Sequence, residues 1–547
     1  MKEAEEEVIK TQHLLQSLLH SISQVQIFKG KWSIITTKLT TLHTTLSPQS
    51  QLSLPNPLSS DLLRSLSATC SAAAALAALC HSPTPSPAKL KTQNDLDNMS
   101  ATLDAHINDF HVLFKSGLLF SAVPSPSKRE SVRAEARNLM TRIQIGSTES
   151  KNSALDSVLG LLQEDDKNVL IAVAQGMVPI LVRLLDSSSS SEIKEKTVTA
   201  IAKISIVDSS KHVLMAEGLG LLNNLLRVLE SGSVFAKEKS CIALNALSNS
   251  KENARAIGSR GGISSLLEIC IDGTPNSQAL AAGVLRNLAV FDEIKENFME
   301  ENAVSTLLAL CNSGTALAQE NSIGCLCNLV SGDDDLKLFV AREGGIESLN
   351  NFWDSAVNSA QSLEVVVQMV RTLASCPNIA EFLVANGFLN RIVGVLDCGV
   401  LGVRITAAKA LYNLAYNTSS RKELGEMGCV SLLVRMLDGK AIEEKEAASK
   451  ALSMLMNYDG NRKILRKEVK GIVSIVKLLD PLLQNLDKKY VISLLSSLVH
   501  SKKCRKQMVE ANAGAYLQKL VEKDVEGAKK LFDSLGHGKL WGVFGRH

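Results

Sequence analysis

Aromatic side chains are scarce in this chain. Phe, Trp and Tyr make up 4% of 547 residues, while apolar residues as a whole reach 45%. A core with so few rings has to be built from Leu, Ile, Val and Ala, which suits close helix packing better than a β-sandwich. Paired cysteines are lacking too. The eleven cysteines are scattered singly, Cys325 and Cys327 being the closest pair, and no CxxC occurs. None of the ten histidines stands beside them at metal-ligand spacing, so a disulfide framework or zinc module is excluded. Buried free thiols in a reducing compartment are expected instead.

Targeting signals are equally sparse. The start, MKEAEEEVIK, has neither the basic opening nor the apolar run of a signal peptide. Lys2 stands where N-myristoylation needs Gly, and the Ala-rich run at 68–80 covers 13 residues, short of a bilayer span. These absences predict a soluble intracellular protein, cytoplasmic, nuclear or both. Net charge is only +3 but unevenly placed. Residues 1–130 carry 11 basic and 10 acidic groups, 131–460 carry 30 and 38, and 461–547 carry 18 and 8. The basic end either attracts an acidic partner or membrane surface or is a solvated face of terminal helices.

What the chain has in abundance is repetition. A Gly-like residue, an apolar residue soon after, and a run ending in Leu-type pairs recur as GMVPILVRLL from Gly176, GLLNNLLRVL from Gly220, GGISSLLEIC from Gly261 and NAVSTLLALC from Asn302. The pattern continues from Gly344, Gly387 and Gly428, with degenerate copies from Lys470 and Asn512. The successive intervals are 44, 41, 41, 42, 43, 41, 42 and 42 residues. A second pattern travels with it and ends in a tetrad such as RNLA at Arg286, CNLV at Cys327, RTLA at Arg371 or YNLA at Tyr412. Its second position is held in turn by Lys203, Ala246, Asn287, Asn328, Thr372, Asn413, Met454 and Ser497.

Each copy reads as three helices. From Gly428, Val430, Leu433, Met436 and Leu437 share one face. An Ala-rich helix follows with Ala447, Ala448 and Ala451, small enough for neighbouring helices to approach closely. A short helix then leads to the next Gly, which supplies a sharp turn. No copy can bury its apolar face alone, so the copies have to stack into an elongated solenoid. The segments SALDSVLGLL and NVLIAV before Gly176 fit an atypical first repeat capping the stack. The pattern predicts repeats over 151–535, about nine with the first and last atypical.

Residues 1–122 show apolar helical periodicity without the repeat, with helices expected at 13–19, 32–46, 58–79 and 96–120. A linker and the start of the capping helix occupy 123–150, and a Gly-rich tail with Trp541 and Phe544 occupies 536–547. Ser82, Thr84, Ser86 and Ser125 each precede Pro, which fits either proline-directed phosphorylation or an ordinary surface linker.

A period near 42 with a Gly anchor and three helices resembles the armadillo repeat. The helical N-terminal segment ending in LDAHINDFHVLFKSG, then RNLMTRIQIGSTESK, then these repeats, resembles the plant U-box ubiquitin ligases and their relatives. A U-box is far larger than the 30 residues that separate Phe120 from Lys151, and its Cys-Pro-Ile-like opening has no match there. The resemblance is therefore to the armadillo branch without a U-box, and ligase activity does not carry over. It implies an all-α fold, a right-handed armadillo-repeat superhelix (an α-solenoid) preceded by an N-terminal helical bundle.

No P-loop, HExxH or GxSxG occurs, and the Gly pairs at the anchors recur with the repeat as interhelical turns. A non-enzyme without cofactor, metal or small-molecule substrate is expected. In armadillo proteins the helix bearing the NLA tetrad lines the concave groove, and its Asn hydrogen-bonds the backbone of an extended peptide. An amide suits that role because it donates and accepts at once. The resemblance thus implies groove residues Asn287, Asn328 and Asn413, with Lys409, Lys450 and Lys203 on the same row. Four residues before the three Asn stand Gly283, Gly324 and Lys409 rather than the Trp of nuclear-import receptors, which argues against basic nuclear-localisation peptides. The expected partners are extended or helical protein segments, not nucleic acid. The alternatives are a substrate-recruiting component of a ubiquitin ligase assembly and a membrane or cytoskeletal tether through the basic end.

Overall fold

The computed structural model describes residues 2–46, 57–81, 89–115, 128–186 and 190–536. Among them every regular element is a helix. Ser82, Thr84, Ser86, Ser125, Trp541 and Phe544 lie outside the described residues. The chain divides into two compact units, Met1–Leu247 and Ser248–His547.

The first unit opens with the four expected helices, Lys2–Ile22, Lys29–Thr45, Pro57–Leu79 and Lys89–Lys115. Apolar residues three and four apart give each a single buried stripe: Leu15 and Leu18, then Trp32, Ile35, Leu39 and Leu42, and later Leu66, Ala73 and Ala77. Polar contacts fix the register. Lys31 binds Asp97 and Lys38 binds Asp104 at 2.6 Å, so equal steps along the second and fourth helices keep them parallel. The first and third are parallel by the same reasoning, since Glu7 faces Arg64 and Thr11 faces Ser67. The result is an up-down-up-down bundle. Pro57–Leu79, 23 residues long, outruns the Ala-rich stretch read from the sequence and has the length and composition to cross a membrane. Here its apolar stripe is packed into the bundle core.

Beyond the bundle this unit forms Lys128–Ile145, Thr148–Glu164 and Asp166–Ala174. Thr148–Glu164 contains SALDSVLGLL and packs on the Ala-containing helix of the next repeat, Ser191–Ile206. It therefore occupies the Ala-rich-helix position of an irregular first repeat. Two fuller repeats, opening at Met177–Asp186 and Gly218–Ser231, complete the described part of the unit.

The second unit stacks the remaining repeats. Its full repeats have an anchor helix, a ladder helix, Ala-rich in several of them, and a short connecting helix. The ladder helices are Pro275–Leu288, Ala316–Leu329, Ala360–Leu373, Leu401–Leu414, Ile442–Leu455 and Lys488–Leu498. Each packs on the next. Ala281, Ala282, Ala407, Ala410, Ala447 and Ala451 are buried at these contacts, where a larger side chain would hold the backbones apart.

The turn into each anchor helix explains the recurring Gly. Gly261, Gly344, Gly387 and Gly428 have φ of 74°, 96°, 78° and 79°. Space is not the constraint, because a Cβ at any of them would meet nothing within 4 Å. The left-handed backbone is, and the two exceptions, Asn302 and Asn512 at φ 53° and 65°, use the residue that tolerates it best after Gly. In the first unit the left-handed turn falls at Gly218, not at the expected Gly220. The two irregular intervals around it thereby become 42 and 43 residues. At Lys470 φ is −99°, so this degenerate repeat turns without the left-handed residue.

All eleven cysteines are free and all but Cys398 are buried, as the sequence implies. Burial pushes the Cys270, Cys311 and Cys429 thiols up to about 12, so they behave as small apolar side chains.

Candidate protein-binding groove

The six groove candidates do not form one set. Lys203 is half-buried on Ser191–Ile206 in the first unit, whereas Asn287, Asn328, Lys409, Asn413 and Lys450 lie on ladder helices of the second. The three amides are also in different situations. Asn328 Nδ2 donates to the carbonyl of Arg286 at 3.1 Å, one repeat earlier. Asn287 Nδ2 donates to Ser248 Oγ at 3.0 Å. Both tie their ladder helix to what precedes it. Asn413, half-buried on Leu401–Leu414, has no hydrogen-bond partner among the described residues.

Around Asn328 the row is closed by internal chemistry. Arg286 lies across the next helix, and a Cβ at Gly324 would come within 2.5 Å of its Nε. Its Nη1 is 3.6 Å from Glu320 Oε1, and Ser362 Oγ donates to Glu320 Oε2 at 2.6 Å. Glu320 is buried: Ser362 satisfies Oε2, while Oε1 has the Arg286 charge nearby but no hydrogen bond among the described residues. Three successive repeats are thus joined by Arg286, Glu320 and Ser362.

Next to Asn413 in sequence, Tyr412 lines an open cleft. Its ring stands edge-to-face with Tyr490, ring centroids 6.3 Å apart. Lys450, one ladder helix further on from Tyr412, places its ammonium 4.5 Å from the Tyr412 ring and 5.3 Å from the Tyr490 ring. These rings border a cleft of about 410 Å³ that also presents Ser453, Asn457 and Ser493. Local backbone chemistry sets Tyr490 in place. Lys488 donates to the carbonyls of Leu478 and Asp480 at 2.8 Å and of Leu483 at 3.1 Å, gathering the segment before the helix. Burial pulls the Lys488 ammonium down to about 8. Asp487 then caps the helix through Lys489 N at 3.0 Å and pairs with the Lys489 ammonium at 2.9 Å.

Tyr490 escapes a reading of the repeat because it stands seven residues before Ser497, whereas Lys409 and Lys450 stand four before Asn413 and Met454. The usable signal is compositional: all five tyrosines fall between 412 and 516. Among the described residues no group of three or more His, Cys, Asp or Glu could hold a metal ion.

Known proteins resemble this chain in parts. The model of the armadillo/beta-catenin-like repeat matches residues 165–206, and that of a domain of unknown function, DUF7032, matches 9–118. U-box domain-containing protein 12 of Arabidopsis thaliana is 32% identical over 20% of this chain and 16% of its own length. U-box domain-containing protein 1 of Medicago truncatula is 32% identical over 19% of this chain and 15% of its own. The matched stretches therefore span less than a fifth of these relatives. A crystal structure of an engineered protein, 22% identical, covers 74% of this chain and 99% of its own with a TM-score of 0.63, which carries the fold alone. The repeated Gly-anchored helices and the engineered neighbour show an α-solenoid with an N-terminal helical bundle; within it residues 165–206 match the armadillo/beta-catenin-like repeat, and part of the chain is similar to plant U-box domain-containing proteins.

Proposed function

We propose that this protein is a non-catalytic scaffold that binds segments of partner proteins along the ladder helices of its second unit. The armadillo repeat and its relatives support a protein-interaction role in general. The observation that carries the finer reading is the contrast among the ladder amides. Asn287 and Asn328 already hold the stack together, whereas Asn413 has no hydrogen-bond partner among the described residues and follows Tyr412, which lines an open cleft. The row offers a peptide backbone one available amide.

Proximity labelling in cells tests this with the wild type and Asn413→Ala. Partners present with the wild type should be depleted in the variant, while thermal stability stays within about 0.5 kcal/mol, as for a surface change. An unchanged partner list would overturn the reading. Asn328→Ala is the contrasting variant: it should destabilise by about 1 kcal/mol by removing an inter-repeat hydrogen bond.

A second reading, recruitment of targets to a ubiquitin ligase, draws on the relatives, which are U-box domain-containing proteins by name. It requires a catalytic ligase component among the labelled partners, and their absence removes it.

A further inference from the structure

The connecting helices of the second unit lie outside the ladder, and their charges are sorted by sign along the stack. The ten residues before Asn302, Gly344, Gly387, Gly428, Lys470 and Asn512 hold 1, 2, 0, 2, 4 and 4 basic groups in turn. The acidic groups there number 5, 3, 1, 2, 1 and 1, so the net charges run −4, −1, −1, 0, +3 and +3. The segment before Gly261 opens the series at +2, but its Lys251 and Arg255 are both bound to Glu293 of the next. Contacts between repeats hold these segments side by side. Lys295 Nζ donates to Ser331 O at 3.3 Å, Lys337 Nζ to Ser375 Oγ at 2.9 Å and Asn461 Nδ2 to Arg421 O at 2.7 Å. Some of the charge is matched locally, as in Lys295 with Asp292, Lys337 with Asp334, Arg462 and Lys463 with Asp459, and Lys506 with Glu510. The rest is not. Glu296, Glu300, Asp335, Glu343 and Glu381 are exposed and have no ion-pair partner among the described residues, with Arg342 the one unpaired cation among them. Arg466, Lys467, Lys502, Lys503 and Arg505 are equally without a carboxylate. Exposed apolar side chains accompany both signs: Met299, Phe339 and Phe382 in the acidic part, Val469 and Val509 in the basic part.

We infer that the connecting helices bind a second copy of this chain in antiparallel register, the acidic segments of each copy lying against the basic segments of the other. The pattern is self-complementary, as a two-fold interface requires. An axis between 377–386 and 418–427 sets 292–301 opposite 502–511 of the other copy, and 334–343 opposite 460–469. Each dimer then holds two contacts of −4 against +3 and two of −1 against +3. The same axis matches the segment of Met299 with that of Val509, and the segment of Phe339 with that of Val469, which places apolar side chains among the charges. Charge complementarity of this kind fixes register and partner more than it adds affinity, so the dimer is weak and salt-sensitive. A net charge of only +3 leaves little repulsion between whole copies. Nucleic acid or an anionic membrane would answer to the basic segments alone and leave the acidic ones without a counterpart. A second copy answers to both. The inference is independent of the ladder amides.

Sedimentation velocity of the full-length chain tests this. The wild type should show a monomer–dimer equilibrium at about 20 mM salt that shifts to monomer by about 500 mM. Glu296→Lys combined with Glu300→Lys should weaken dimerisation by about tenfold or more, and Lys502→Glu combined with Lys503→Glu should do the same. Mixed in equal amounts, the two variants should dimerise as the wild type does, because both ends of the mixed dimer again set opposite charges together. A chain carrying all four changes should also recover. The four positions are exposed, and melting curves check that each variant folds. Should one not fold, Glu343→Lys and Lys467→Glu, also exposed and on segments that face each other across the axis, form a second reciprocal pair. A wild type that stays monomeric at about 100 μM and about 20 mM salt would overturn the assignment. So would a dimer indifferent to the reversals, or reversed variants that remain monomeric when mixed.

Discussion

At the scale of single residues, burial decides which charges are a burden. Asp109, on the fourth bundle helix, is half-buried, and desolvation holds its carboxyl up at about 6 against a partial lowering by Lys151. An acid whose folded pKa exceeds its unfolded value destabilises the fold when ionised. The bundle therefore regains stability as pH falls through 6 toward the ordinary carboxylate range. The full difference corresponds to at most about 3 kcal/mol, less for the solvent access Asp109 retains. Asp109→Asn should raise the melting temperature at pH 7, and its advantage over the wild type should shrink as pH is lowered to 5. Melting curves of both proteins at the two pH values check this, and an advantage that stays constant would show that Asp109 ionisation has no bearing on stability.

At the scale of elements, the helices owe their starts to a second periodic signal, less visible than the Gly anchors. Ladder helices of the second unit begin after Thr274, Thr315 and Ser359, whose hydroxyls accept from the backbone N of Ser277, Ala318 and Ser362. In the first unit Ser190 and Ser233 do the same. The series lapses at Val400 and Ala441, where no side chain caps the helix. Thr274→Ala and Thr315→Ala should each cost about 1 kcal/mol in chemical denaturation, whereas Ala441→Ser should stabilise by a similar amount. A loss at Thr315 below about 0.3 kcal/mol would mean that packing alone fixes that start. Much of the element level was legible because helix period and repeat length reinforce one another. Gly218 was misread because GLG offers two glycines, and only the docking of Leu221, Leu222 and Leu225 into the stack decides which one turns left-handed.

At the scale of the whole molecule, repetition makes each repeat answer mainly to its neighbours, and the candidate site follows from that. The row of amides could be read from the sequence, since a constant offset needs no coordinates. Which amide is available could not, because it depends on how closely Arg286 O approaches Asn328 and on what fills the space beside Asn413. Nearest-neighbour coupling has a measurable form. Gly324→Ala pushes a methyl into the Arg286 guanidinium, and Glu320→Gln removes the charge that guanidinium faces. Both changes strike one cluster spanning three repeats, so their effects on unfolding free energy should fail to add, by at least about 0.5 kcal/mol. Gly324→Ala combined with Lys488→Met, which frees three carbonyls far along the same stack, should add to within about that figure. Urea denaturation of the single and double variants supplies both cycles. Strong coupling between Gly324 and Lys488 would mean that the second unit unfolds as one rigid body with shared strain, and the description of it as a chain of neighbour contacts would have to be given up.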